Sequence, residues 1–212
     1  LNRSFTPPDQ NRALLTSGAV SIVLVWMLAL AVLPTALQAD QVIATYSLPY
    51  NSSGLAWDGR ILWVGGVGER GNWIRAYNPE EDTFVDSLRA PVPDCLGLAF
   101  SEGQLIYLSP RSDSTYFIQR DGRYSAILNP YQHMAGVAVE NGALWGAVYF
   151  NPNGVLVKFD RQGRVLTTVP HSGRQSRDMT LFKGSLYIAD LVSQGVRVVT
   201  PSTGRLNRLL TA

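Results

Sequence analysis

Three residues suited to proton transfer lie in short polar stretches between apolar runs: Asp94 in "VPDCL", His133 in "PYQHM" and Asp178 in "GRQSRD". A carboxylate and an imidazole that face one pocket can act as general base and general acid. A carboxylate close to His133 would also set where that imidazole titrates. The same stretches, with "PYNSS", carry groups able to hold a ligand: Tyr50, Asn51, Tyr131, Arg174 and Arg177. A second set of loops adds Glu69, Arg70, Arg111 and Asp113. The blander reading makes all of these solvated loop residues, since turns are polar for local reasons of their own. Arg177 beside Asp178 is then a surface pair of small worth. No Ser-His-Asp order, paired-carboxylate spacing or P-loop accompanies them.

Other chemistries are excluded more firmly. Cys95 is the single cysteine, so no disulfide within the chain and no thiolate zinc cluster can form. His133 and His171 are far apart in sequence and offer little to a metal. Neither a metal nor a cofactor is expected. The run "GGVGERG" contains G-x-G-x-x-G at Gly66, Gly68 and Gly71. A dinucleotide loop must open a helix whose N-terminus takes the pyrophosphate. This run leads instead into "NWIRAYN", which alternates as a strand does. The formal charge of +2 is spread through the chain, which argues against a nucleic-acid partner.

The elements that must position these residues form a repeat. Four segments align: "SGLAWDGRILWVGG" from Ser53, "LGLAFSEGQLIYLS" from Leu96, "AGVAVENGALWGAV" from Ala135 and "RDMTLFKGSLYIAD" from Arg177. Each reads as an apolar strand, a turn ending in Gly, and a second apolar strand. A loop, a third strand, a tight turn and a more polar fourth strand follow in every case. In "VLVKFD", Val155, Val157 and Phe159 share one face while Leu156, Lys158 and Asp160 share the other. Period 2 broken by turn residues marks antiparallel strands. Four strands in roughly 40–45 residues is the arithmetic of a β-propeller blade. The expected fold is therefore all-β, with blades near 53–95, 96–134, 135–176 and 177–212. "QVIATYSLP" supplies a spare strand at 41–48. Two arrangements satisfy this count: an arc of a ring of five or more blades, or a four-bladed ring with an extra edge strand. In either, the loops entering each first strand gather around one axis.

Residues 1–39 are a different material. No charged residue occurs from Ala13 to Ala39, and Arg3 and Arg12 precede the run. An apolar core in "AVSIVLVWMLALAVL", then Pro34 and the small residues of "TALQA", fits a signal peptide cut after Ala39. A retained N-terminal helix anchoring the chain is the alternative. Both readings export residues 40–212 to the periplasm or the exterior, with the membrane touched only through the uncut segment.

The stretches "GLAWDGRIL", "GGVGERG" and "WIRAY" resemble secreted bacterial propellers with NHL-like or quinoprotein-like repeats. They are also similar to five-bladed glutaminyl cyclotransferases. The resemblance spans most of residues 42–205. The second family places Gln or Glu where Ser53 and Leu96 stand here, and an acidic stretch where "RDMT" keeps only Asp178. What it implies is a cyclotransferase-like or lyase-like enzyme with a reduced acidic site. The residues themselves favour a non-catalytic propeller that binds a protein partner or a small ligand.

Overall fold

The computed structural model describes residues 51–67, 72–148, 154–173 and 175–211, all within the compact unit Tyr46–Ala212. The expected leader at 1–39 and the spare strand at 41–48 lie outside the described residues. Among the described residues every regular element is a strand. Blade 1 comprises β1 (Asn51–Trp57), β2 (Leu62–Val67), β3 (Trp73–Asn78) and β4 (Thr83–Arg89). Blade 2 comprises β5 (Gly97–Ser101), β6 (Gln104–Ser109), β7 (Ser114–Ile118) and β8 (Tyr124–Leu128). Blade 3 comprises β9 (Met134–Glu140), β10 (Ala143–Val148), β11 (Val155–Phe159) and β12 (Val165–Pro170). Blade 4 comprises β13 (Ser176–Phe182), β14 (Ser185–Asp190), β15 (Gly195–Val199) and β16 (Leu206–Thr211). Each blade is an antiparallel sheet whose strands are paired in chain order, and no strand crosses to another blade. The protein is an all-β chain of four four-stranded blades in a propeller arrangement.

Local chemistry sets the hairpins. In blade 3, Glu140 pairs with Ala143 across Asn141–Gly142, both at positive φ (51° and 78°). That is a type I′ turn, whose twist suits two adjacent strands and which Asn-Gly adopts at little cost. Glu102–Gly103 and Lys183–Gly184 repeat it in blades 2 and 4. Between third and fourth strands an aspartate ties the turn. Asp121 Oδ1 accepts the Arg123 N–H at 3.0 Å, and Asp160 Oδ1 accepts the Gln162 and Arg164 N–H groups at 2.9 and 3.0 Å.

Strand alternation then builds the core between blades rather than within them. Ala56, Trp63 and Ile74 of blade 1 meet Leu98, Tyr107 and Ile118 of blade 2. Ile106, Leu108 and Phe117 of blade 2 meet Val137, Leu144 and Phe159 of blade 3. Ala138, Trp145 and Ala147 of blade 3 meet Met179, Leu186 and Ile188 of blade 4. Both faces of "VLVKFD" are used: Val157 and Phe159 pack toward blade 2, Leu156 toward blade 4. Each fully buried aliphatic side chain contributes roughly 1.5–3 kcal/mol relative to exposure. The fourth strands β8, β12 and β16 are mostly exposed, as outermost strands must be.

The inner strands β1, β5, β9 and β13 surround a common axis, close enough for direct backbone contact. The Gly136 N–H donates to the Leu96 carbonyl at 2.6 Å. A Cβ on Gly97 would lie 2.8 Å from the Gly136 carbonyl carbon, so only glycine fits there. The seam from blade 4 back to blade 1 is made differently. At the axis the Leu55 N–H donates to Asp178 Oδ2 at 3.1 Å. Toward the rim, Trp57 and Phe182 are 53% and 55% exposed, and no buried apolar cluster among the described residues joins the two blades.

A carboxylate at the propeller axis

Asp178 occupies the place in blade 4 that Gly54, Gly97 and Gly136 hold in the other three. It follows a bulge in β13, where Ser176 pairs with Asp190 and Asp178 with Ala189, leaving Arg177 as the extra residue. Such a bulge re-aims the next side chain. Here it accompanies a carboxylate directed at the axis. Oδ2 accepts the Leu55 N–H, and Oδ1 accepts the Met179 N–H at 2.8 Å. The N–H groups of Val137 and Leu98 are near enough to favour its charged form, without a hydrogen bond of normal geometry. Leu55, Leu98, Val137 and Met179 are the matching residues of the four repeats, so one carboxylate accepts an N–H from blades 1 and 4 and feels those of blades 2 and 3. Burial pushes the carboxyl up to about 7, against the pull of these four donors. Beside it lies a cavity of about 290 Å³, walled by all four inner strands, whose polar backbone and mostly apolar side chains both face it.

The neighbouring thiol is inert. Cys95 is buried, its Sγ lies 3.5 Å from the Gly97 carbonyl, and its pKa is raised by burial and then by the Asp178 charge. A thiol held protonated is a poor nucleophile.

Among the described residues, Asp94, His133 and Tyr131 make no hydrogen bond or ion pair to Asp178. Asp94, at φ 64°, pairs with Arg111 Nε at 2.9 Å. His133 is exposed at φ 53°, and its backbone N–H donates to Asp113 Oδ1 at 2.7 Å. Tyr131 is 41% exposed. Arg177 is half-buried in the bulge. Tyr50, Glu69, Arg70 and Arg174 lie outside the described residues, as does the side chain of Asn51, whose backbone opens β1. No group of three residues able to hold a metal occurs among the described residues. The glycine run that begins at Gly65 passes from β2 to β3, an antiparallel pair, so the helix that a dinucleotide loop requires is not there.

One polar cluster has no signature in the sequence. His171, after β12, is buried, and its Nδ1 accepts the Gly173 N–H at 3.1 Å. Burial and the Arg197 charge lower its pKa to about 4, partly opposed by Asp190. The Asp190 side chain is fully buried, with Arg197 Nε 3.6 Å from its Oδ2 and the Ser193 N–H on its Oδ1 at 2.8 Å. The three residues come from separate segments, and nothing in their spacing announces the contact. Asp178, by contrast, is visible in the sequence as the one carboxylate in a column of glycines.

No protein-family model matches the chain, and no curated protein matches it. Solved structures do. It is similar to a Myxococcus xanthus glutaminyl cyclase at 14% identity and a TM-score of 0.54, over 65% of this chain. It is similar to the Neurospora crassa Pan2 WD40 domain at 18% and 0.53, over 77% of this chain. A streptogramin B lyase matches at 16% and 0.54, over 78% of this chain. The chain spans 66%, 50% and 56% of those three proteins. At such identities the likeness is one of fold, and the fold these structures share with the chain is the β-propeller.

Proposed function

We propose that the chain is an exported, non-catalytic β-propeller that binds a small apolar ligand in its axial cavity. The observation that carries this reading is the employment of Asp178. Its carboxylate already accepts the Leu55 and Met179 N–H groups, while Asp94 is paired with Arg111 and neither Asp94 nor His133 is bonded to it. What remains on the axis is a space of about 290 Å³ lined by apolar side chains and polar strand backbone, and small-molecule sites are characteristically concave, with apolar walls and a few polar groups. Indole is a suitable probe. It is expected to raise the melting temperature of the chain saturably, and Thr180→Trp, which fills the cavity from its wall, is expected to remove the effect. A shift of equal size in the variant would count against the cavity as the site.

Export is supported by the uncharged run from Ala13 to Ala39. N-terminal sequencing of the protein recovered outside the cytoplasm is expected to begin at Asp40 or to retain the leader. Recovery only from the cytoplasm would contradict export.

A second reading draws on the elevated pKa of Asp178: a propeller enzyme of the cyclotransferase or lyase kind, with that carboxyl as its acid–base group. A peptide with N-terminal glutamine separates the two. Ammonia release that disappears in Asp178→Asn would favour the enzyme. Release no faster than without protein is the outcome expected here.

A further inference from the structure

Away from the axis, the repeat points to a second site. In two seams, a carboxylate in the turn between first and second strands of one blade is clasped by an arginine of the next blade. Asp58 takes Arg120 Nη2 at 2.9 Å, and Glu102 takes Arg161 Nη2 at 3.1 Å. Each guanidinium also lies over a ring, Arg120 over Phe100 at 5.6 Å and Arg161 over Phe117 at 5.0 Å. The two arginines hold the same place in the turns "QRDGR" and "DRQGR". In blade 4 the matching turn is "TPSTGR", and Pro201 stands where the arginine should be.

Glu140 is the carboxylate that loses its clasp. Its Oε2 accepts Trp145 Nε1 at 2.9 Å, as Asp58 Oδ2 accepts Trp63 Nε1 at 3.0 Å. Lys158 of its own blade reaches the same Oε2 at 2.6 Å. Oε1 has no hydrogen-bond partner among the described residues. The clasped side chains differ, Asp58 being 2% exposed and Glu102 64%; that of Glu140 is 26% exposed, with no arginine on it. A cavity of about 470 Å³ opens there, with Glu140, Lys158 and Thr167 on one side and Thr200, Pro201 and Ser202 on the other. A cavity of about 460 Å³ flanks the first seam too, but there Arg120 forms part of the wall and already holds the carboxylate.

We propose that the third seam is a guanidinium-binding site, in which an arginine side chain of a peptide or protein partner seats on Glu140 Oε1. The partner supplies in trans the clasp that the first two seams make in cis. A guanidinium suits the place better than an ammonium, because its planar fork can span a carboxylate oxygen and the hydroxyls of the facing turn. Lys158 opposes the incoming charge and so limits the affinity. Seating at this seam does not depend on the axial cavity.

The test follows the Trp145 indole N–H resonance of the full chain during titration with N-acetyl-arginine amide. A saturable shift is expected, with the neutral citrulline counterpart weaker by about tenfold or more, as loss of a charged hydrogen bond implies. Glu140→Gln is expected to weaken arginine binding about as much, since the carboxylate charge is what it removes. Lys158→Met is expected to tighten it, and Pro201→Arg to abolish it by restoring the clasp. Absence of a saturable shift, equal binding of citrulline, or unchanged affinity in Glu140→Gln would overturn the proposal. Should Pro201→Arg fail to fold, Glu140→Gln decides alone. Indole binding at the axis is expected to persist in Glu140→Gln, so failure of one site is distinguishable from failure of the other.

Discussion

Asp178 and His171 act on stability in opposite directions over nearly the same pH range. Asp178 has a folded pKa of about 7 against 3.8 for a free aspartate. Between those limits the folded chain holds a proton that the unfolded chain has lost. Its contribution is therefore fully present below about 4 and lost as pH rises through 7. His171 has a folded pKa of about 4 against 6.5, so its contribution is present above 6.5 and lost as pH falls toward 4. The two slopes, each at most about 1.4 kcal/mol per pH unit, offset one another. Denaturant unfolding between pH 4.5 and 7 is expected to show the imbalance when either is removed. Relative to the parent chain, Asp178→Asn becomes more stable as pH rises, and His171→Gln becomes less so. Parallel profiles for all three proteins would contradict the assigned environments. Asp58 and Glu140, both lowered, titrate below this window, so they leave the comparison intact. Only half of this was legible in the sequence. Asp178 was legible as a carboxylate at the entry to a first strand, but its partners are backbone groups, which no side-chain pattern reports. His171 meets Asp190 and Arg197 only through the packing of separate segments.

At the scale of the strand, the positions that tolerate no side chain separate into two kinds. Gly103 has φ +78° with nothing within 4 Å of a built Cβ, so its constraint is conformational. Gly97 carries no such φ, and its constraint is the backbone of Gly136 at 2.8–2.9 Å. Gly103→Ala is expected to cost about 1 kcal/mol, and Gly97→Ala toward about 3 kcal/mol, because two inner strands must part. Thermal or denaturant unfolding of the two variants checks the order; equal losses would mean that the inner strands are not in contact. The existence and order of the strands were readable because alternation and Gly-containing turns are local. The third and fourth strands, the type I′ turns and the replacement of a helix by β3 after "GGVGERG" all follow from such local signals. The bulge at Arg177 was not readable: it depends on how β14 pairs with β13.

For the whole molecule, repeat counting indicates four units, whereas how they close depends on the angle between blades, which no residue encodes by itself. The structure answers at the axis, where N–H groups of blades 1 and 4 bind one carboxylate whose charge those of blades 2 and 3 also favour. Three apolar seams hold the blades radially, and the fourth is drawn together at Leu55 and Asp178 with its rim residues Trp57 and Phe182 exposed. The likeness to a cyclase, a lyase and a WD40 domain follows from this architecture. The account stands on that convergence, and backbone amide resonances read it directly. On titration from pH 5 to 9, the N–H signals of Leu55, Leu98, Val137 and Met179 are expected to move together with one midpoint near 7, and to stay still in Asp178→Asn. Four signals that move independently, or that titrate unchanged in the variant, would show that the blades do not share that carboxylate.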